Sequence, residues 1–571
     1  MEENTPHPKE KKKRNDVSLR KNKETEYSCV KVSWKKFNKN HFLRFGIQNI
    51  ILNINKISFL SYKLLNFHFI RLIENNMDLP EITQNLFYNA CSVVSIMKNR
   101  NSYVNGNDEL VKSFNEFKNF IDDLPFRDKM GNLINNLNRQ QVTMTKNHLK
   151  LNFYKRLHKY LELKTGENRK SVIYQWLKII YADEYNGNNP FLHSIRKFLK
   201  YVPTESNICK YASHFIKVYY KILIEFEKYE NKKGIRVFNL LPNKSSFTID
   251  NIEICNSCLN DVISYITNKP NIEDFNENKR DYWTYLFNIE KYETENRKFA
   301  YGIMTDGKSC SIRLEKPKIE ILKHKDIKNN EYEQYIGIDP GIRSLYTSYN
   351  NQGEIQHITT REYRHRSKMI YACKKRENWY KKWDYYDNWK KIPSFKTARI
   401  DKMLDYLKFV LPNIDKFFQF HKDKNFRGLN FTSYCRSKAT LDRICKKITN
   451  NKRTLIGFGD YSQHHGLVKK HSTTPILKLK RELSRHCYLI DIDEYKTSKT
   501  CSMCFREVTL YRNYKKKRIS NFHSVIRCSS NECKLCCMDR DINASKNILL
   551  LLECEKQGKR RPKCFLAEKN E

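Results

Sequence analysis

The 571-residue sequence contains no long hydrophobic run and no N-terminal secretory signal. No stretch approaches the run of about 18 apolar residues that a membrane-spanning helix requires, and no apolar segment lies near the first methionine. Internal repeats and long linkers of glycine and serine are absent as well. We therefore expect an intracellular protein without a membrane partner.

Acidic residues are few relative to basic ones, with 63 Asp and Glu against 107 Lys and Arg and a net charge of +44. The positive charge is spread along the chain, whereas binding to a membrane surface would engage one face only. A polyanion fits this distribution better, and we predict that the partner is nucleic acid. The length exceeds that of a usual single domain, so we also expect roughly three to five units around more than one core.

Disulfide bonds are not expected, because an intracellular protein meets a reducing environment. The 18 cysteines are therefore predicted to be metal ligands where they cluster and small buried apolar residues where they stand alone. The isolated cysteines are Cys29, Cys91, Cys209, Cys310, Cys373, Cys435, Cys445 and Cys487. Cys255 and Cys258 form a C-x-x-C pair with no second pair nearby, which disfavours a metal site there.

The N-terminal half changes from strand-like to helical patterns and back. Residues 1–25 are too polar to bury a core, so we predict a disordered basic arm that is either a nuclear-import signal or a set of phosphate contacts. Residues 27–34 predict a strand, and residues 55–235 have helical spacing. From about residue 236 the strand pattern returns. This order predicts a β module that a helical insertion splits.

Two apolar stripes support the helical insertion, and we assign their aromatic residues to packing rather than to base stacking. They are Phe114, Phe117, Ile121 and Leu124, and Phe215, Val218, Ile222 and Phe226. Downstream of them, Asp306-Gly307 lies between FAYGIM and SCSIRL and predicts the turn of a β-hairpin.

Acidic residues stand at the ends of predicted strands in the C-terminal half. Residues 335–350, YIGIDPGIRSLYTSYN, predict two strands joined by a turn that begins at Asp339, and GEIQHITTREYR follows as a third. An RNase H-like nuclease begins with three such antiparallel strands, although aspartate before Pro-Gly also suits an ordinary turn. A helix near residues 400–410 and two strands ending near Asp460 and Glu494 fit the parallel half of such a sheet, where active sites gather.

Two cysteine pairs follow, with spacing that matches a tetrahedral zinc ribbon. The ligands predicted for one structural Zn²⁺ are Cys501, Cys504, Cys528 and Cys533, with 23 residues between the pairs. Cys536 and Cys537 are alternatives to Cys533. The pairs flank a basic segment that would contact a nucleic-acid backbone, made of Lys515, Lys516, Lys517 and Arg518.

The segment DRDINASKNILLLL predicts a helix that starts next to Asp541. Its apolar residues form a packing face that would aim the Asp541 carboxylate at the edge of the sheet. An acid at this position also has a simpler role, which is to cap the first turn of the helix.

The order of these motifs resembles the RuvC domain of transposon-encoded TnpB proteins and of the compact type V CRISPR effectors. The motifs are DPG, a strand with an acidic end, TSKTCSMC, the second cysteine pair and DRDINASKNI. Three details are more similar to the Fanzor family, the eukaryotic and viral branch, namely TDGKSCSI, GDYS and DEYKTSKTC. The resemblance covers roughly residues 300–567, including RRPKCF, and the N-terminal half matches only in its arrangement.

The resemblance implies a multidomain α+β protein, with a split β-barrel wedge domain, a helical recognition lobe and an RNase H-like RuvC domain with an inserted zinc ribbon. The implied ranges are 1–25 for the arm, 26–55 and 236–330 for the wedge domain, 56–235 for the lobe, 331–495 for RuvC, 496–538 for the zinc ribbon, and 539–571 for the last RuvC motif and tail.

The function that the resemblance implies is RNA-guided DNA cleavage. Such proteins bind a guide-bearing omega RNA, recognise a short target-adjacent motif and cut double-stranded DNA with two catalytic Mg²⁺ ions. The implied ligands are Asp339, Glu494 and Asp541. We expect a monomeric ribonucleoprotein, in the nucleus if the source is eukaryotic or viral and otherwise in the cytoplasm. The alternatives are an RNA-independent transposase- or recombinase-like nuclease and a nuclease-dead DNA-binding regulator.

The second acid is the least regular part of the pattern, because Gly459 stands where TnpB proteins place a glutamate. Asp460 is adjacent, but a shift of one residue along a strand turns a side chain to the opposite face. Glu494 is the better candidate, since it ends the neighbouring strand and Fanzor proteins place a relocated glutamate before the T-S-x-x-C segment.

Overall fold

The computed structural model describes most of the chain, as two separate units. The described residues are 25–97, 108–182, 184, 189–230, 235–242, 247–317, 330–460, 474–513, 520–533 and 537–566. The first unit comprises residues 1–318 and 382–428, and the second comprises residues 319–381 and 429–571. The predicted basic arm lies outside the described residues except for Thr25. Within the described stretches, no helix has the length and apolar character needed to cross a membrane.

The strands and α-helices are numbered here in chain order. The strands are β1 Thr25–Ser33, β2 Ile252–Ile254, β3 Lys298–Thr305, β4 Ser309–Pro317, β5 Gln334–Asp339, β6 Ser344–Asn350, β7 Ile355–Thr359, β8 Thr454–Gly459, β9 Tyr488–Ile492, β10 Val508–Asn513, β11 Ser520–Cys528 and β12 Met538–Asp539. The helices are α1 Trp34–Phe37, α2 His41–Glu74, α3 Gln84–Val93, α4 Asp108–Asn115, α5 Gly131–Thr165, α6 Lys170–Tyr181, α7 Pro190–Leu199, α8 Glu205–Lys210, α9 Ala212–Glu227, α10 Asn256–Thr267, α11 Lys279–Leu286, α12 Thr360–Arg366, α13 Met369–Lys381, α14 Tyr386–Lys390, α15 Ile400–Val410, α16 Ile414–Asp423, α17 Phe426–Thr449, α18 Ile476–Leu483 and α19 Arg540–Lys556.

The first unit contains an antiparallel sheet in the order β1-β4-β3-β2. Strand β1 pairs with β4 although the helices α1 to α11 separate them in sequence, which confirms the predicted split of the β module. The expectation of a barrel is wrong for the described residues, because β1 and β2 are the two edges of an open sheet and do not pair with each other. The region from residue 236 onward is also less strand-rich than predicted, since it contains α10 and α11.

The hairpin between β3 and β4 turns at the predicted Asp306-Gly307. The Asp306 carboxylate accepts hydrogen bonds from the backbone N–H groups of Lys308 at 2.9 Å and Ser309 at 2.7 Å. Gly307 has a φ of +78°, in the left-handed region that glycine enters at no steric cost. This prediction is confirmed.

The helices of the insertion pack around α2 and α5. Of the two predicted stripes, the one on α9 is confirmed, because Phe215, Val218, Ile222 and Phe226 are all buried on one helix. The other is wrong as a helical stripe, because α4 ends at Asn115 and the chain continues in a short 3-10 turn. Phe114 and Phe117 are nevertheless buried in the same core.

Residues 382–428 also belong to the first unit, whereas the predicted RuvC range of 331–495 runs through them without a break. Phe417 lies 4.6 Å from Phe247 between ring centroids, and Phe418 lies 5.8 Å from Phe59. These aromatic contacts join α16 to the core around α2. The segment has the helical pattern that the sequence predicts, but its apolar face is buried in the core of the first unit.

The second unit is built on a five-stranded mixed sheet in the order β7-β6-β5-β8-β9. Strands β5, β6 and β7 are antiparallel neighbours, and β8 and β9 run parallel to β5. This arrangement confirms the predicted strand order of the C-terminal half. The carboxyl ends of β5, β8 and β9 therefore lie along the same edge of the sheet.

Helix α19 crosses this sheet where two glycines are paired. Gly337 of β5 and Gly457 of β8 are register partners. A Cβ atom at Gly337 would collide with the Ser545 carbonyl oxygen and the Leu549 backbone, and one at Gly457 would lie 3.0 Å from the Leu552 Cβ. The paired glycines let the helix backbone approach the strands, and this contact fixes the position of the first turn of α19.

The prediction that the isolated cysteines are buried holds for only some of them. Cys91, Cys310 and Cys445 are buried, and Cys209 and Cys487 are half-buried. The prediction is wrong for Cys29, Cys373 and Cys435, which are exposed. These three lie on β1, α13 and α17, in elements that have one face toward solvent.

Candidate active site and metal centre

Asp339 ends the central strand β5, as predicted, and its side chain is half-buried. Burial, and then the negative charges of Glu494 and Asp541, raise the pKa of the Asp339 carboxyl well above its ordinary value. The positive charge of Arg540 offsets part of this effect. Two neighbouring negative charges destabilise the ionised form of this acid. A cation placed between the three acids would relieve that repulsion, so the acid is a strong ligand for it.

Glu494 follows the end of β9, and its side chain reaches the neighbouring strand β8. A Cβ atom at Gly459 would overlap Oε1 of Glu494 and would lie 2.7 Å from its Cδ. The same Cβ would lie 2.9 Å from Pro340, the residue after Asp339. The Glu494 carboxylate therefore occupies the space that a side chain at position 459 would fill, next to the end of β5.

Asp460 binds the backbone of Glu494. Its Oδ1 accepts a hydrogen bond from the Glu494 backbone N–H at 3.2 Å. The Glu494 carbonyl in turn accepts from the Thr497 backbone N–H at 3.0 Å and from the Thr497 hydroxyl at 2.9 Å. Asp460 and Thr497 thus hold the backbone of Glu494 from both sides.

Asp541 lies in the first turn of α19, and a different residue caps that helix. The Asp539 carboxylate accepts from the backbone N–H groups of Asp541 at 2.9 Å and Ile542 at 3.1 Å. The simpler role considered for Asp541, helix capping, therefore belongs to Asp539. Burial, and then the charge of Asp539, raise the pKa of the Asp541 carboxyl, while Arg540 and Arg343 act in the opposite direction.

The three carboxylates do not form a closed cluster of ligand atoms. Asp339, Glu494 and Asp541 do not form a group whose ligand atoms all lie within 4.8 Å of one another. Carboxylate oxygens are the ligands that Mg²⁺ prefers. The donor set therefore fits Mg²⁺.

Two buried asparagines on α19 bind the segment that follows Glu494, and the sequence patterns did not indicate them. The side-chain amides of Asn543 and Asn547 each donate to the carbonyls of Thr497 and Thr500, at 2.8 to 3.2 Å. Asn543 Oδ1 also accepts from the Ser502 backbone N–H at 2.9 Å. These bonds join the segment after Glu494 to the helix that carries Asp541. The available signal was the spacing of two asparagines one turn apart within an apolar helix face.

Four thiols form a compact group in the small module of β10, β11 and β12. The sulfurs of Cys501, Cys504, Cys528 and Cys533 all lie within 4.8 Å of one another. The Cys501–Cys533 distance is 3.8 Å and the Cys504–Cys528 distance is 3.4 Å. Tetrahedral zinc with Zn–S bonds of about 2.3 Å places its sulfurs about 3.8 Å apart, so these thiols fit a zinc ion.

The surroundings shift the pKa values of two of these thiols in opposite directions. A backbone hydrogen bond from Arg506, and then the neighbouring thiols, lower the pKa of Cys504 to about 7, whereas burial, and then hydrogen bonds with the other thiols, raise the pKa of Cys528. Cys533 is the fourth member, whereas Cys537 is exposed and outside the group, and Cys536 lies outside the described residues. The basic segment Lys515, Lys516, Lys517 and Arg518 also lies outside them.

A second possible ligand group in this unit is already paired with cations. Asp442, Glu482 and His486 lie within 4.8 Å of one another. Lys446 approaches the Asp442 carboxylate to 2.9 Å, and Arg485 approaches that of Glu482 to 3.0 Å. We interpret this group as a surface ion-pair network.

One comparison with known families covers the region just described. Residues 476–548 match the model of the Cas12f1-like, TNB domain. The matched segment runs from α18 into α19 and contains the four thiols, Glu494 and Asp541. This part of the chain is therefore similar to Cas12f1-like proteins, on the TnpB and type V side of the resemblance, and the match does not single out Fanzor.

Comparisons of the whole chain with curated proteins and solved structures give less support for a family. No curated protein matches the chain in sequence. A solved structure described as the cryo-EM structure of the Cas12f1-sgRNA-target DNA complex is similar at 14% identity over 92% of this chain and 99% of that one, with a TM-score of 0.26. A TM-score at this level does not establish a common fold.

Proposed function

We propose that the chain is an RNA-guided DNA endonuclease of the TnpB type, and within that type a Fanzor protein. The observation that carries the proposal is the position of Glu494, whose carboxylate lies beside Gly459 at the end of β8 and, after burial, adds to the raised pKa of Asp339 at the end of β5. The match of residues 476–548 to the Cas12f1-like TNB domain supports the TnpB type and does not bear on the Fanzor assignment.

The second unit is proposed to be an RNase H-like RuvC domain with Asp339, Glu494 and Asp541 as catalytic metal ligands. Two Mg²⁺ ions bound there would supply an activated water and stabilise the leaving oxygen of a phosphodiester. The protein's own contribution is to hold the acids at fixed positions. Asp460 and Thr497 fix the backbone of Glu494, and α19 fixes Asp541.

The four thiols are proposed to bind one structural Zn²⁺ in a zinc ribbon. All four ligand positions are filled by cysteine, which leaves no open position for a substrate, as in structural zinc sites. Zinc would hold β10, β11 and the start of β12 together, because this module has a small core of its own. The module would then present its basic segment to a nucleic-acid backbone.

The proposed partners are a guide-bearing omega RNA and double-stranded target DNA with a short target-adjacent motif. The net charge of +44 is spread over the chain, as expected of a long channel that holds an RNA–DNA heteroduplex by its backbone. The first unit, with its split sheet and helical insertion, is assigned to the wedge domain and recognition lobe. We also propose that the protein is a monomeric ribonucleoprotein, which lies in the nucleus if its source is eukaryotic or viral and otherwise in the cytoplasm.

The proposal is tested by sequencing the RNA that copurifies with the protein when it is expressed together with its flanking DNA. We expect one structured RNA with a variable end, and Mg²⁺-dependent cleavage of DNA that matches that end. Cleavage that proceeds after complete removal of RNA would show an RNA-independent nuclease instead. Specific DNA binding without cleavage at any metal concentration would show a nuclease-dead regulator.

A further inference from the structure

The C-x-x-C pair at Cys255 and Cys258 lies in the first unit, where the nuclease proposal gives it no role. Cys255 precedes the first turn of α10, and Cys258 lies within that turn. Their sulfurs are 3.4 Å apart. A disulfide bond has an S–S length of about 2.05 Å, so closing the pair requires the sulfurs to approach by about 1.4 Å, within reach of side-chain rotation.

The two thiols differ in exposure. Cys255 is half-buried, with its sulfur 3.3 Å from the Ser257 hydroxyl on the solvent side, whereas Cys258 is fully buried beneath it. A reagent in solution therefore reaches Cys255 first. Cys258 is accessible to the sulfur of Cys255 but not to a bulky molecule.

Polar groups lie close to both sulfurs of the pair. The Asn136 side-chain amide on α5 lies 3.0 Å from the Cys258 sulfur and 3.6 Å from the Cys255 sulfur. Hydrogen bonds with the Cys258 thiol above all, and then with Ser257 and Asn136, outweigh burial and lower the pKa of Cys255 to about 4. The hydrogen bond with Cys255, together with burial, raises the pKa of Cys258 above its ordinary value.

A metal site does not account for the pair. Neither cysteine belongs to a group of three or more possible ligands among the described residues. Two thiols alone do not make the four-coordinate zinc site that intracellular C-x-x-C motifs otherwise build. A half-buried cysteine in contact with a buried partner cysteine is instead the arrangement of dithiols that undergo thiol–disulfide exchange.

We propose that Cys255 and Cys258 form a redox-active dithiol that low-molecular-weight disulfides of the glutathione type oxidise. The Cys255 thiolate attacks one sulfur of the oxidant, breaks its S–S bond and releases one thiolate, which takes up a proton. The Cys258 thiol then loses its proton and attacks the Cys255 sulfur of the mixed disulfide, which releases the second thiol. The two protein thiols are oxidised to one disulfide, and one oxidant molecule is reduced to two thiols.

Oxidation of the pair depends on the ratio of oxidised to reduced glutathione, so the pair forms a disulfide when the oxidised form accumulates. The first unit thus carries a reversible modification site at the junction of β2 and α10, which is held against α5 by Asn136.

The test is peptide mass spectrometry on the full-length protein after treatment with glutathione buffers of increasing oxidised fraction. Both cysteines fall in one tryptic peptide between Lys244 and Lys279, so the disulfide makes that peptide lighter by two hydrogen atoms. In Cys258→Ser the exchange stops at the mixed disulfide, and we expect a glutathione adduct on Cys255. In Cys255→Ser we expect no adduct on the buried Cys258.

Exposed Cys29 on β1 is the internal comparator, because any oxidant present reaches it. The proposal is overturned if Cys29 becomes glutathionylated while the 255–258 peptide of the folded wild-type protein keeps both thiols. It is also overturned if Cys258→Ser shows no adduct at Cys255 under the same conditions. Circular dichroism and zinc content of both variants check that they are folded, and reduction with dithiothreitol must reverse the wild-type modification.

Discussion

The side chain of Glu494 fills the place beside Gly459 that a side chain at that position would otherwise take. Gly459 ends β8, and Glu494 lies two residues beyond its register partner Ile492 on β9. An acid that comes from the next strand thus reaches the end of β8 because β8 ends in a residue without a side chain.

Gly459→Ala is expected to abolish or strongly reduce DNA cleavage. The added methyl group overlaps Oε1 of Glu494 and must displace the carboxylate. A displacement of about 1 Å in a catalytic group costs on the order of a hundredfold in rate. Gly131→Ala is the matched control, since a Cβ there meets nothing within 4 Å. Normal cleavage by Gly459→Ala would contradict the placement of Glu494.

Asn547→Ala is expected to lower both stability and cleavage. The substitution removes two donors that the Thr497 and Thr500 carbonyls use, at 2.8 Å each. Both carbonyls keep a hydrogen bond from the Asn543 amide, so the loss is that of two hydrogen bonds, about 0.5–1.5 kcal/mol each in the free energy of unfolding. Cleavage should fall as well, because the turn after Glu494 loses part of its anchor on α19. Thermal melts and cleavage rates measure the two effects, and exposed Asn531→Ala should change neither.

Much of this site follows from strand pattern and motif order. Asp339, Glu494 and the four thiols lie where the sequence predicts, because strand ends and C-x-x-C spacing are local features. Two other features depend on contacts between distant residues and have no local signal. The crossing of α19 at Gly337 and Gly457 is one, and the burial of residues 382–428 in the first unit is the other.

Cys504→Ala is expected to reduce bound zinc from one ion per chain to near zero. The remaining three thiols of the group do not close a tetrahedral site, and the small core of the module depends on it. Cys537→Ala is the control, because Cys537 is exposed and outside the group. Elemental analysis of both variants gives the result, and full zinc content in Cys504→Ala would rule out this ligand set.

Lys63→Met is expected to stabilise the first unit, by about 1–3 kcal/mol at neutral pH. Lys63 is fully buried, and its Nζ has no hydrogen-bond partner among the described residues, although it lies 3.9 Å from the Phe395 ring centroid. Burial lowers the pKa of Lys63 well below the ordinary 10.5. The unfolded chain therefore binds the proton more tightly, and wild-type stability rises with pH from the folded-state pKa up to about 10.5.

The pH dependence separates this effect from a general gain in packing. The stability difference between Lys63→Met and the wild-type protein should shrink as pH rises toward 10, because the cost of keeping Lys63 neutral disappears there. Melts at several pH values measure it, with exposed Lys35→Met as the control. A difference that does not change with pH would show that Lys63 is not neutral in the folded protein.

The central claim is that the second catalytic acid is Glu494, and cleavage by the purified guide complex in Mg²⁺ tests it most directly. Three isosteric variants are compared, Glu494→Gln, Asp460→Asn and Asp493→Asn, with target binding measured in parallel. Asp493 is exposed, and Asn at position 460 keeps an oxygen that accepts from the Glu494 N–H. We predict that Glu494→Gln binds its target and does not cut, while the other two retain cutting. Near-normal cutting by Glu494→Gln, with cutting lost in Asp460→Asn, would contradict the account.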